Sequence, residues 1–164
     1  MIRTAVVLLT TLVTGTALAP VPAGATPLAG LTAGRYQNQG FEATNRVRQH
    51  HERAGFRSQD CVQRFAQRQA GRMARQDRMF HQDLLPVLRQ CGLTSAGENV
   101  AYGYPTGRSV VKQGWMRSED HRENILNRQF RLLGMGARRS DAKPAVSVDA
   151  STVCRRATRA MTRV

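Results

Sequence analysis

The chain has histidine and glutamate side chains that could take part in chemistry or bind a metal ion, among them His81, Glu98 and His121. Two neutral imidazoles and one carboxylate can hold zinc or another divalent transition metal ion and leave a position open for water. The ion could then activate that water for hydrolysis. The same groups could instead act as a general acid and base without a metal, or form a polar cluster that only ties elements together.

No nucleophile accompanies these groups. The sequence has no Gly-x-Ser-x-Gly pattern, and none of its cysteines lies beside a histidine. It also lacks the CxxC and cysteine–histidine spacings of a structural zinc site. These observations favour binding over catalysis without excluding an enzyme.

The elements that must position the three groups follow from periodicity. Apolar residues recur at three- and four-residue steps over residues 62–74, which predicts an amphipathic helix shortly before His81. Residues 97–103, which include the glutamate, are strand-like. Ser118 is typical of a helix N-cap and places His121 in the first turn of the next helix.

Other segments complete a mixed pattern of helices and short strands. We expect a helix over residues 41–54, a further helical turn over residues 84–89, and strands at residues 132–137 and 145–148. Such alternation predicts an α+β domain in which helices pack on a small sheet.

A set of motifs stands in a specific order along the chain: Asn45-Arg46, Met79-Phe80-His81, Gly97-Glu98-Asn99, Trp115-Met116-Arg117-Ser118, His121-Arg122-Glu123-Asn124-Ile125-Leu126 and Gly134-Met135-Gly136. Over residues 41–139 the chain resembles the bacterial branch of the CAP superfamily, the cysteine-rich secretory, antigen five and pathogenesis-related proteins. The resemblance implies a three-layer α-β-α sandwich with a small central sheet.

The resemblance also implies a shallow binding cleft at His81, Glu98 and His121, with Ser118 and Asn99 beside it. Animal and plant members carry a second glutamate where this chain has Ser118. The metal-ligand set of two histidines and Glu98 is therefore incomplete, and we expect weak zinc binding. Asn99 is expected to bond backbone near the cleft.

The C-terminal region departs from the family pattern, which ends on an aromatic strand. This chain has Pro144-Ala145-Val146-Ser147-Val148, and no aromatic residue follows Phe130. We therefore expect an atypical last strand, a CAP domain over residues 41–150 and a basic tail over residues 151–164.

The N-terminus has the pattern of a secretory signal peptide. Arg3 precedes a short apolar run at residues 5–13, and Ala23-Gly24-Ala25 fits the small-residue cleavage rule. The apolar run is shorter than the roughly 20 residues that span a bilayer. We expect export with removal of residues 1–25, a flexible lead-in over residues 26–40, and no transmembrane segment in the mature chain.

Three cysteines in an exported chain suggest one disulfide and one remaining thiol. Cys61 opens the amphipathic helix, and Cys91 ends the segment that returns after it. We therefore predict the pair Cys61–Cys91, with Cys154 as a free or intermolecular thiol.

The net charge of +14 comes almost entirely from arginine, because only Lys112 and Lys143 are lysines. Arginine suits bidentate contact with carboxylate or phosphate, which points to an anionic cell-envelope polymer as partner, and the resemblance to the CAP superfamily implies a lipid-like ligand as the alternative. A genome rich in G and C would also raise the arginine content without a functional cause. Scarce aromatics disfavour nucleic acid, and we expect a monomer.

These observations leave three functions open. The first is a secreted, non-catalytic binding module for an envelope component or a small hydrophobic ligand. The second is a metal-assisted extracellular hydrolase that acts on a peptide or polymer. The third is a structural or protein-interaction role in which the cleft is vestigial.

Overall fold

The computed structural model describes residues 31–139 and 147–156, so the predicted signal peptide at residues 1–25 lies outside the described residues. The elements in chain order are α1 (Ala33–His50), β1 (Arg57–Ser58), α2 (Asp60–Arg75), α3 (Leu85–Cys91), β2 (Leu93–Tyr102), α4 (Gly107–Ser109), a π-helical turn (Val110–Gly114), a 3₁₀ turn (Trp115–Arg117), α5 (Glu119–Leu126), β3 (Leu132–Arg139) and β4 (Ser147–Arg156).

The sheet has the order β1-β3-β4-β2, with β1 parallel to β3 and the other pairs antiparallel. The chain's last described strand, β4, is therefore hydrogen-bonded on both sides. It runs from Ser147 to Arg156, well beyond the strand predicted at residues 145–148. Residues 151–156, predicted as part of the basic tail, thus belong to the sheet.

The two faces of β3 contact different helices, because side chains alternate along a strand. A Cβ atom added at Gly134 or Gly136 would clash with the backbone of α2. Met135, between them, points the other way and lies against Gly40 of α1. The sheet is sandwiched between α2 and α1, and the expected three-layer α-β-α fold is confirmed.

Each helical layer forms its own core with the sheet. On the α1 side the buried residues include Tyr36, Val111, Trp115 and Ile125. On the α2 side they include Val62, Phe65, Val87, Leu93, Leu132 and Cys154. The predicted disulfide is confirmed: Cys61, at the start of α2, is bonded to Cys91, the last residue of α3, with their Cα atoms 5.6 Å apart.

Helix α1 begins earlier than the sequence pattern predicts. It starts at Ala33, capped by the Thr32 hydroxyl, which accepts a hydrogen bond from the N–H of Arg35 at 3.3 Å. Residues 33–40 of the predicted flexible lead-in are therefore helical. The helix ends at His50, four residues before the predicted end at Ala54.

Near the end of α1, Arg48 is fully buried. Its guanidinium group donates to the carbonyl oxygens of Ala54 (2.7 Å), Ile125 (2.5 Å), Asn127 (3.0 Å) and Phe130 (3.3 Å). Burial, together with nearby arginines, lowers the pKa of Arg48 to about 10. The side chain ties α1 to the end of α5 and to the segment that enters β3.

Candidate functional site

The loop after α2 presents His81 on the surface. Gln69, fully buried on α2, donates a hydrogen bond from its amide to the carbonyl oxygen of Phe80. Arg72 in turn donates to the Gln69 amide oxygen at 2.6 Å, which fixes the orientation of that amide. The helix thus holds the backbone beside His81, whose side chain is 59% exposed.

Glu98 lies in β2 with its side chain only 1% exposed, and its carboxylate oxygens are already occupied. Oε2 lies 2.9 Å from His81 Nδ1 and accepts the backbone N–H of Gln82 at 3.0 Å. Oε1 accepts the side-chain amide of Gln82 at 2.6 Å. A carboxylate at Nδ1 places the proton there, so that Nε2 of a neutral His81 ring is the free acceptor.

The residues on either side of Glu98 dock α5 onto the strand. A Cβ atom at Gly97 would clash with the side chain of Asn124, so glycine permits the close approach. Asn99 is fully buried, donates to the backbone oxygen of His121 at 3.1 Å, and accepts from the Asn124 amide at 3.0 Å. As expected, Asn99 bonds backbone at the cleft, and it thereby fixes the first turn of α5.

His121 is half-buried and close enough to His81 for the two rings to interact electrostatically. The pKa of His121 lies below its ordinary value, chiefly because burial disfavours the imidazolium form. The charge of His81 lowers it further, while Asp120 acts in the opposite direction. The cleft environment therefore favours a neutral imidazole at position 121.

Ser118 occupies the predicted N-cap position of α5, but its side chain makes no capping hydrogen bond. Instead, Ser118 and His121 line a cavity of about 250 Å³. The remaining lining residues are apolar, aromatic or glycine: Met79, Val100, Ala101, Tyr102, Tyr104, Gly114 and Trp115. Trp115 is fixed there by a hydrogen bond from its indole N–H to the Val100 carbonyl oxygen at 3.3 Å.

The described residues contain no group of three His, Cys, Asp or Glu side chains placed to hold a metal ion. The predicted set of His81, Glu98 and His121 is therefore not placed as a three-ligand shell, and the Glu98 carboxylate already accepts hydrogen bonds from His81 and Gln82. Glu98 fits the role of orienting His81, and the three residues do not fit a three-ligand metal centre.

Sequence reasoning missed several residues of this site. Gln82 supplies two of the three contacts to Glu98. The only sequence feature that could have indicated this role is its position directly after His81. Met79 and Tyr102 are exposed apolar side chains, 47% and 61% exposed, on the cavity wall. Nothing in the local pattern distinguishes them from core residues.

Solved structures share this fold. An extracellular protein containing an SCP domain from Bacillus anthracis is 26% identical, with a TM-score of 0.67 over 76% of this chain and 41% of that one. An outer surface protein of Borrelia burgdorferi is 14% identical, with a TM-score of 0.63 over 71% of this chain and 90% of that one. The second likeness concerns the fold alone.

Among curated proteins, YkwD of Bacillus subtilis (strain 168), which is uncharacterised, is 32% identical over 108 residues, or 62% of this chain and 42% of YkwD. The chain thus spans less than half the length of this relative and of the Bacillus anthracis protein. No helix among the described residues is long and apolar enough to cross a membrane.

The sequence model of the cysteine-rich secretory protein family, CAP, matches residues 41–154. This range starts at the predicted domain boundary and includes β1, β2, β3 and most of β4. The match covers well over half of the chain, and we conclude that the protein belongs to the CAP family.

Proposed function

We propose that this CAP protein is a secreted, non-catalytic binding module whose cleft takes a small ligand with an apolar body and a hydrogen-bonding end. The observation that carries the proposal is the exposure of Met79 and Tyr102 on the wall of the cavity. Exposed apolar side chains gathered at one concave site are typical of ligand binding.

Polar groups at and beside the cavity support the second half of the proposal: His121 lines the cavity, and His81, which is not one of its lining residues, interacts electrostatically with His121. The carboxylate of Glu98 holds the His81 ring and directs its proton to Nδ1. Nε2 of His81 makes no contact within the described part of the chain and is therefore an available acceptor. His121, with its lowered pKa, offers a second neutral imidazole. A ligand hydroxyl or carboxylic acid could bond to either ring.

The size of the cavity limits what it can enclose. Its volume of about 250 Å³ is just below the range of about 300–1,000 Å³ for small-molecule pockets. We expect it to take one end of a ligand such as a fatty acid, with the remainder of the ligand along the exposed surface of Tyr102.

The chain's only tryptophan, Trp115, lines the cavity and is a natural reporter. Titration with dansyl-labelled undecanoic acid should produce energy transfer from Trp115 to the dansyl group. Met79→Ser and Tyr102→Ser should each weaken this binding about tenfold, since each substitution removes apolar surface that the bound ligand would cover.

The matched control is Leu85→Ser. Leu85 is 56% exposed and does not line the cavity, so its loss should leave dansyl binding unchanged. Equal weakening by the Leu85 variant, or binding that is indifferent to Met79 and Tyr102, would remove the support for this cleft as the ligand site.

A hydrolase is the second candidate, and the specific observation in its favour is the pairing of His81 with Glu98. An imidazole oriented by a carboxylate is an effective general base. Turnover of peptide or cell-wall polymer that is lost in His81→Gln would favour this candidate over the binding module.

Weak zinc binding remains a prediction that rests on the two imidazoles. Calorimetric titration of wild type, His81→Ala and His121→Ala tests it directly. Equal zinc binding in all three proteins would show that the histidines do not bind zinc.

Secretion is tested separately by expression of the full chain in a bacterial host. The exported protein should begin at Thr26. A secreted product that retains residues 5–13 would contradict the signal-peptide assignment.

A further inference from the structure

The outer face of α2 carries a row of arginines. Arg64, Arg68 and Arg72 follow each other at four-residue intervals, Arg75 adds one more turn, and all four are exposed. With a rise of 1.5 Å per residue, successive charges in the first three are about 6 Å apart along the axis, and the whole row is about 16 Å long.

These residues line a groove of about 510 Å³, with Arg138 of β3 contributing a fifth guanidinium group. Gly71 lies in the groove, and its missing side chain leaves room for the Arg75 guanidinium, which lies near where a Cβ would be. No Asp or Glu is among the described lining residues, and the only acidic residue of α2 is Asp60 in its first turn.

Folding alone does not favour this arrangement, because like charges at a four-residue spacing destabilise a helix. Two of the side chains are nevertheless held in place. The guanidinium of Arg68 lies over the Phe65 ring, 4.3 Å from its centroid. Arg72 donates to the buried Gln69 at 2.6 Å. The charges are therefore partly pre-organised for an external partner.

We propose that this groove, the α2 arginine groove, binds a linear polymer that carries phosphate groups and no nucleobases. A guanidinium fork matches a phosphate bidentately, and a row about 16 Å long can contact several charges of one chain. Phe65 is the only aromatic ring among the described lining residues, and because it is buried and covered by Arg68 it offers no free face on which a base could stack.

The groove lies on the outer face of α2, whereas the cavity lined by His121 lies between β2 and the first turn of α5. The two sites share no lining residue, so an experiment can contradict the proposal for one site and leave the proposal for the other intact. A polymer held at the α2 arginine groove would keep the protein on an anionic surface while the cleft remains open to its own ligand.

The test uses poly(glycerol phosphate) as the probe and measures binding of the full mature chain at several salt concentrations. The variant is the triple substitution Arg64→Gln, Arg68→Gln and Arg75→Gln. Affinity should fall about tenfold, because exposed charge contacts are individually modest. The slope of log affinity against log salt should decrease by about three.

The control is the triple substitution Arg57→Gln, Arg128→Gln and Arg155→Gln, which removes the same charge from a different arginine-lined groove of about 690 Å³. Its affinity loss should be much smaller. An equal loss in the two triple variants would show that the polymer senses net charge alone, and would overturn the proposal.

Two further binding measurements identify the ligand chemistry. Inorganic phosphate at the same phosphate concentration should not displace the polymer, and single-stranded DNA should bind no more tightly per phosphate than poly(glycerol phosphate). Displacement by free phosphate, or tighter binding of DNA, would each contradict the proposal. If the triple variant fails to fold, Arg64→Gln alone should still reduce the salt slope by about one, and an unchanged slope would count against the groove.

Discussion

His81 Nδ1 lies 2.9 Å from Glu98 Oε2, in a pair that joins an exposed ring to a carboxylate that is almost inaccessible to solvent. The two residues belong to different elements, the loop after α2 and strand β2. The buried partner therefore fixes the orientation of a ring that is itself free to meet a ligand.

Substitution of Glu98 by alanine should lower the free energy of unfolding by about 3 kcal/mol, because the donors of His81 and Gln82 lose a charged acceptor. Urea denaturation measures the loss. Glu98→Gln keeps the shape and one acceptor, so its effect should be smaller. Glu123→Ala, at an exposed position of α5, should change stability by less than about 0.5 kcal/mol. A Glu98→Ala protein as stable as wild type would contradict the bonding scheme.

Stability should depend on pH through His121. Its folded-state pKa lies below the unfolded value of 6.5, first because of burial and then because of His81. As pH falls below 6.5, the unfolded chain takes up the proton first, so the free energy of unfolding decreases until the folded pKa is passed. His121→Gln should flatten this part of the curve in urea denaturation.

The interaction between His81 and His121 can be examined by NMR titration of the imidazole protons. In His81→Gln the pKa of His121 should rise only part of the way to 6.5, since burial is the larger cause. An unchanged pKa would show that the two rings do not interact.

Removal of the Cys61–Cys91 bridge should be costly. The disulfide closes a loop with a sequence separation of 30 residues, for which chain-entropy models give about 3–4 kcal/mol. The double variant Cys61→Ser, Cys91→Ser should show this decrease in urea denaturation, and wild type measured in reductant should match it. A difference between the two would indicate that serine substitution perturbs the site for another reason.

Cys154 should be unreactive in the folded protein. It is fully buried in the core beneath α2, and burial raises its pKa to about 12. Because the thiolate is the nucleophile, iodoacetamide without reductant should leave native protein unlabelled and modify one cysteine after unfolding in urea. Labelling of the native protein would contradict the burial, and an intermolecular disulfide at Cys154 would do so as well.

Arg48→Met should destabilise the fold by about 3 kcal/mol, because the carbonyl oxygens of Ala54, Ile125 and Asn127 lose their donor. Arg48→Lys keeps the charge but not the fork, so it should recover little of the loss. Arg46→Met, at an exposed ion pair with Glu42, is the matched control and should cost less than about 1 kcal/mol.

The elements that could be predicted from the sequence are those with a residue pattern that repeats within a short segment. Helix α2 could be predicted because its apolar residues recur over four turns, and the Cys61–Cys91 bridge because the cysteines sit at the ends of two elements. The start of α1 could not, since its buried face there consists of Tyr36 and the small residues Gly40 and Ala43, which give almost no periodic signal.

The proximity of His81 and Glu98 follows from the motif order, and the structure shows their contact, but the remaining geometry could not be predicted. Motif order indicated His81, Glu98 and His121, but it cannot show that Gln82 completes the bonding of the carboxylate. That depends on how the loop after α2 meets β2, which is a tertiary relationship. The extent of β4 was missed for a similar reason, because Ser151, Thr152 and Arg155 acquire strand character only between β2 and β3.

The inner position of β4 has a consequence for the order of folding. Within the described sheet, β2 pairs only with β4, and β3 otherwise has only the two-residue strand β1. During synthesis from the N-terminus, β2 therefore emerges long before its partner β4, because residues 103–146 separate the two strands, whereas β3 ends only a short segment before β4 begins. Since such non-local pairing is slow to form, the β2–β4 pair forms late, and β2 has an open edge that is exposed to mispairing until residues 147–156 arrive.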